Sequence, residues 1–150
     1  MKQELILLAH NIRSAYNVGS FFRTADGAGV SKIILSGYCP RPDHKGVIKT
    51  ALGAEQSVPW ESIGQPGPWL KKMRKAGYHI AALEQTTSSK NLMSWKPKFP
   101  MVLIVGNEVR GVSTALLKYA DVKLEIPMHG QKESLNVASA MAVAVYELLR

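Results

Sequence analysis

Short apolar runs recur along this chain at spacings too wide for hairpins, and helix-like segments fill the gaps between them. Leu5-Ile6-Leu7-Leu8, Lys32-Ile33-Ile34-Leu35, Tyr78 to Leu83, Met101 to Val105 and Val122 to Ile126 read as buried strands. Between and after them, Val18 to Ala28, Pro68 to Ala76, Ser113 to Tyr119 and Leu135 to Leu149 read as helices. Gly27 and Gly29 are expected to end the first helix, and Gly77 the second. Strands that are apolar on both faces and alternate with helices predict an α/β fold, its mostly parallel sheet covered on both sides. Gly37 to Gly46 reads as a loop, and the polar stretch from Gln85 to Lys98 carries no clear period. A chain of 150 residues is the size of one domain. With no repeat, low-complexity tract or linker in view, residues 1–150 are expected to form a single unit.

The formal charge of +8 points to a polyanionic partner, since lysines and arginines that meet phosphates release condensed counterions. Arg41, His44, Lys45 and Lys49 flank the first long loop, and Lys71, Lys72, Arg74 and Lys75 stud the helix after Pro68. These are candidates for tracking a nucleic-acid backbone. A single cysteine, Cys39, excludes an internal disulfide and a cysteine-based zinc site. It fits a cytoplasmic, soluble protein, as does an N-terminus without the pattern of a signal peptide. The longest apolar stretch, Val137 to Leu149, carries Ser139 and Glu147 and falls short of the roughly 20 residues that span a bilayer. No membrane association is expected. His10, His44, His79 and His129 show no metal-ligand spacing, and no metal is expected.

Chemistry concentrates in three segments. The first is Asn17-x-Gly19-x-x-x-Arg23, the second Gly106-Asn107-Glu108 just after an apolar strand, the third Ile126-Pro127-Met128 running on to Ser134-Leu135-Asn136. Taken singly, each has a plain reading. Asn17, Ser134 and Asn136 suit helix N-caps. Gly106 and Pro127 suit sharp exits from strands, with Gly106 able to let a ligand approach the backbone. Ile126 and Leu135 suit a core. A nucleotide cofactor in such a fold sits at the carboxyl ends of the strands. The G-x-G-x-x-G fingerprint is absent, because Gly27-Ala28-Gly29 is followed by Val30-Ser31-Lys32, which disfavours a flavodoxin-like or dinucleotide-binding protein.

Together and in this order, the three segments resemble the three motifs of the SpoU (TrmH-type) branch of the SPOUT RNA methyltransferases, from about Asn11 to Tyr146. The resemblance implies S-adenosylmethionine as cofactor and a ribose 2′-hydroxyl of RNA as the methyl acceptor. It also implies a C-terminal trefoil knot that holds the cofactor bent, and a homodimer. Cofactor contacts are implied at Gly106, Ile126 and Leu135, with Met128 and Gly130 on the same loop. Catalytic roles are implied for Arg23, Asn17, Glu108, Ser134 and Asn136. The family mechanism assigns the Arg23 position as general base. A guanidinium normally keeps its proton, so a role in holding a phosphate and steadying a developing alkoxide is equally compatible. Glu108 is expected to fix loop geometry or orient Arg23, and Arg13 to contact phosphate alongside Arg23. Relatives often carry an RNA-binding segment before the first motif. Only ten residues precede Asn11 here, so no accessory domain is expected, which favours tRNA over a large ribosomal target. A catalytically silent RNA-binding protein of the same fold is the alternative. The presence of Arg23, Glu108, Ser134 and Asn136 together argues against it.

The last helix adds a separate expectation. From Val137 to Val145 it is almost without a polar face, and a helix apolar all round must be buried. In a chain this short, that reads as a two-fold subunit interface rather than a helix enclosed in its own core.

Overall fold

The computed structural model describes residues 3–150. Its strands are β1 (Leu5–His10), β2 (Lys32–Ser36), β3 (Trp60–Ile63), β4 (His79–Leu83), β5 (Lys90–Asn91), β6 (Met101–Val105) and β7 (Val122–Glu125). The helices are α1 (Ala15–Ala28), α2 (Lys45–Ala51), α3 (Ala54–Ser57), α4 (Pro66–Lys75), α5 (Thr114–Leu117) and α6 (Val137–Leu148). The seven strands form one sheet in the order β3-β2-β1-β6-β4-β7-β5, and every pairing is parallel. The sheet is thus more uniform than the mostly parallel one expected.

Period-two packing explains why the strand sequences are apolar throughout. In β1, Leu5, Leu7 and Ala9 face a cluster shared with Phe21 and Phe22 of α1 and Met141 and Val145 of α6. Ile6 and Leu8 face the opposite side, with Leu70 of α4 and Leu116 of α5. β6 lies between β1 and β4, paired Leu5↔Met101 and His79↔Met101, and all five of its residues are buried.

Residues 45–63, to which the apolar pattern assigns no element, form α2, α3 and β3. α2 is one short helix with only Val47 and Ala51 buried, begun by His44, whose Nδ1 accepts from the Gly46 N–H. It lies tightly across α1. A Cβ on Gly19 would sit 2.4 Å from the Val47 carbonyl oxygen, so the glycine of the first segment is where two helix backbones meet.

Three capping expectations are corrected, the first being Ser134, which lies two residues before the Asn136 cap of α6 and caps no helix. Ser14, not Asn17, is the N-cap of α1, its hydroxyl accepting from the Asn17 N–H, while Asn17 lies inside the first turn. Gly27 is helical, and Gly29 alone makes the left-handed stop at φ 83°. Asn136 does cap α6, its Oδ1 accepting from the N–H groups of Ala138 and Ser139. α6 buries Met141, Ala144, Val145 and Leu148 in its own chain but leaves Ser139 and Tyr146 exposed and Ala142 and Val143 half-buried. It is therefore neither enclosed nor free. Among the described residues, no helix is long and apolar enough to cross a membrane.

Candidate active site

The carboxyl ends of β4, β6 and β7 open onto a cavity of about 240 Å³. Leu83, Val105, Ile126, Met128, Leu135, Val137 and Ala140 give it apolar walls, and Gly106, Asn107, Glu108 and Ser134 contribute polar edges. A second, shallower hollow beside it is lined by Arg13, Ser14, Asn17, Glu108 and Asn136. Glu108 borders both, so the two form one continuous region at the place where open parallel sheets bind ligands.

Glu108 organises the region. One carboxylate oxygen accepts from the Arg13 N–H at 2.8 Å; the other accepts from the Ser14 N–H at 2.7 Å and the Asn17 side-chain amide at 3.2 Å. An acid on the loop after β6 thereby closes the N-terminal end of α1, where free N–H groups and the helix dipole favour a negative charge. Burial by itself would raise the Glu108 carboxyl, but the Arg13 and Ser14 N–H groups and the Asn17 amide outweigh it and hold the group below its usual value. A depressed folded value gives stability that is fully present above the unfolded carboxylate range and lost as pH falls through the folded value. Glu108→Gln is therefore expected to flatten the acid limb of a plot of melting temperature against pH. An acid limb as steep as that of the wild type would detach Glu108 from this role.

The glycine after β6 has a reason the sequence did not disclose. A Cβ on Gly106 would sit 2.3 Å from the Gly111 carbonyl oxygen, because the chain from Asn107 turns back to Gly111 through a pair of backbone hydrogen bonds. Gly106 makes room for its own loop. Gly111, at φ 69°, is pressed in turn by Glu84, whose carboxylate accepts from the N–H groups of Val112 and Gln85.

The expected site residues therefore fall into two groups and two outliers. Gly106, Ile126, Met128, Ser134 and Leu135 line the cavity, and Arg13, Asn17 and Asn136 line the adjoining hollow, with Glu108 in both. Leu135 is 40% exposed, which excludes a plain core role, whereas Ile126 also packs partly against the core. Gly130 is exposed and lines neither space. Arg23 is exposed on α1, lines neither space, and its side chain makes no hydrogen bond or ion pair among the described residues. Glu108 does not touch it.

Several residues of the region were not foreseen. Glu84, Gln85 and Arg110 line the cavity, and the Gln85 amide donates to the Glu133 carbonyl, strapping the loop after β7 to the end of β4. Their position at a strand's carboxyl end was the available signal for Glu84 and Gln85. Asn107 is a hub: its amide donates to the Asn11 carbonyl and the Tyr38 hydroxyl, and its side-chain oxygen accepts from the Val109 and Arg110 N–H groups. Cys39 is buried, accepts from the Ile12 N–H, and has its thiol pushed up by burial, so it is structural.

The cavity suits a nucleoside bearing a cationic centre. Its apolar walls can take a purine's faces. Among the described residues, no backbone N–H from Met128 to Leu135 donates within the chain, leaving polar edges free for a heterocycle. The carboxylates of Glu84, Glu108 and Glu125 border it, with Arg110 the one cationic side chain among its lining residues. No cluster of histidine, cysteine or acidic residues able to hold a metal occurs among the described residues.

Comparison with known proteins agrees with this picture. Residues 4–146 match the model of the SpoU rRNA Methylase family. The chain is 32% identical to the tRNA (guanosine(18)-2′-O)-methyltransferase of Aquifex aeolicus over 99% of its own length and 70% of that protein's. It is 31% identical to the 23S rRNA (guanosine(2553)-2′-O)-methyltransferase RlmP of Bacillus subtilis, over 95% of its own length and 57% of the other's. Among solved structures, the AdoMet-bound rRNA methyltransferase of Sinorhizobium meliloti superposes with a TM-score of 0.91 at 28% identity, covering 99% of this chain and 56% of that one. The SpoU methyltransferase AviRb of Streptomyces viridochromogenes follows at 0.89 and 27%, covering 99% and 60%. The chain thus spans from just over half to about two thirds of the length of these relatives. With its fold, the ordered motifs and the family match in agreement, this chain belongs to the SpoU rRNA methylase family.

Proposed function

We propose that this protein transfers a methyl group from S-adenosylmethionine to a ribose 2′-hydroxyl of RNA. The observation that carries the reading is the junction at Glu108, which joins a nucleoside-sized cavity to a hollow edged by Arg13, Asn17 and Asn136. S-adenosylmethionine, when bound, supplies a methyl group activated on a positively charged sulfur. Gly106, Ile126, Met128 and Leu135 would hold it, and Gly130 would lie at the exposed edge of the same loop. The carboxylates at the border favour the cation. Arg13 and Arg23 would bind phosphate, Asn17 would be held ready by Glu108, and Ser134 and Asn136 would orient the ribose. Arg23 would assist removal of the hydroxyl proton or steady the alkoxide as it forms.

The working unit in this reading is a homodimer. α6 keeps Ala142, Val143 and Tyr146 at the surface, and Tyr146 stands against Gly27 near the end of α1. A second copy seated there would lie beside the exposed face of α1 that carries Arg23, so that Arg23 of one copy can serve the cavity of the other. We infer also that the segments after β6 and β7 are knotted, a reading supported by their gathering at one end of the sheet. A cytoplasmic location fits an RNA substrate. Transfer RNA is the first substrate to test, since the Aquifex relative, 70% of whose length is matched, is named for it.

Isothermal calorimetry gives the first check. The purified chain is expected to bind S-adenosylmethionine in the presence of a chelator and to show no heat with flavin or NAD. Binding that needed a divalent ion, or a preference for flavin or NAD, would contradict the reading.

A further inference from the structure

Beyond the residues of the three motifs, one side chain is both fixed and bare. Tyr38 follows Gly37 at the exit of β2. Its N–H donates to the Asn11 side-chain oxygen at 3.1 Å, and its hydroxyl accepts from the Asn107 amide at 2.9 Å. Asn107 and Asn11 are themselves joined, the same amide donating to the Asn11 carbonyl at 2.8 Å. Both ends of the tyrosine are therefore anchored to the group that leads into Glu108.

The turn that presents it is unusual. Asn11 adopts φ 54° and Gly37 φ 70°, and a Cβ on Gly37 would meet the Asn11 side-chain oxygen at 1.8 Å. Only glycine fits there, and its place in the turn is to admit the asparagine that holds Tyr38. Yet Tyr38 is 58% exposed, and among the described residues no second ring or cation covers the faces of its ring. Tyr16, another exposed aromatic, differs, because the Lys49 ammonium lies 5.7 Å from its ring centre. An aromatic ring that buries little surface but has lost its freedom is a prepared platform. Sequence-reading proteins splay unpaired RNA bases out and stack them on such rings. Arg13 at the hollow supplies positive charge of the kind that a phosphate backbone needs.

We propose that Tyr38 stacks an unpaired base of the substrate RNA beside the Glu108 hollow and so positions the neighbouring ribose. The inference rests on the RNA methyltransferase reading above. Because the Tyr38 hydroxyl accepts from Asn107, its own proton stays free, but stacking needs only the ring.

The test uses the full chain, labelled S-adenosylmethionine and hypomethylated total RNA from cells lacking the gene. Tyr38→Ala is expected to raise KM for RNA roughly 5- to 150-fold, the range that loss of one stacked base implies. Cofactor affinity by calorimetry should stay at the wild-type value. Tyr38→Phe, which keeps the ring and loses the Asn107 bond, should keep a KM near wild type even if it melts earlier. An unchanged KM in Tyr38→Ala, or equal KM defects in the Phe and Ala variants, would overturn the proposal. Should the wild type bind RNA without methylating it, the enzymatic reading fails alone. RNA affinity by filter binding then decides on Tyr38 by the same ordering of variants, wild type and Phe together and Ala weaker.

Discussion

Arg23→Ala is expected to lower methyl transfer by about 10²-fold or more, the scale on which loss of one aligned electrostatic donor is felt. The fold should survive the change. α1 turns Val18, Phe21, Phe22 and Ala25 into the core, and Arg23 stands off that face, exposed and without an internal partner among the described residues. Cofactor affinity should survive too, because Arg23 lines neither the cavity nor the hollow of its own chain. It lies six residues beyond Asn17, about 9 Å along the helix axis. Arg23→Lys separates the two possible roles. Lysine keeps the charge but loses the planar fork that engages a phosphate through two bonds. Near-complete loss in the lysine variant is expected, and substantial retained activity would reduce Arg23 to a loose anchor. An Arg23→Ala protein as active as wild type would remove the residue from the site.

The second large effect is expected from Val143→Glu. Val143 is half-buried on the side of α6 that continues to Tyr146, where the proposed partner would sit. A carboxylate there would lie unpaired between two apolar surfaces, an arrangement that costs several kcal/mol per ion. Sedimentation should show the variant as a monomer at concentrations where the wild type is a dimer, with methyl transfer falling alongside. Circular dichroism separates dissociation from unfolding, since Val143 also touches the core. A wild-type chain that sediments as a monomer while fully active would contradict the dimer.

What could be read in the sequence follows from the range of the interactions. β1, β2, β4, β6 and β7 were legible because burial on both faces of a parallel sheet demands unbroken apolar runs. α2, α3 and β3 were not, because α2 shows only Val47 and Ala51 to the core and β3 is an edge strand with two exposed residues. Asn17 looked like a cap because short polar side chains favour that place, yet Ser14 three residues earlier holds it. Most residues expected from the motifs line the cavity or the hollow, but the contacts that place them there could not be read. The Ser14 N–H finds Glu108 94 positions away, and local patterns carry no trace of such a pairing. The same holds for Gly19, whose neighbour is the backbone of α2, for Gly106, whose neighbour is its own loop, and for Tyr38, whose partner is Asn107.

The central claim, ribose methylation of RNA, is tested most directly by mapping 2′-O-methyl positions in total RNA from cells with the gene, without it, and without it but carrying Arg23→Ala. At least one ribose position is expected to lose its methyl group on deletion, regain it with the wild-type gene and stay unmethylated with the Arg23→Ala gene. Identical maps in all strains, or full restoration by Arg23→Ala, would contradict it.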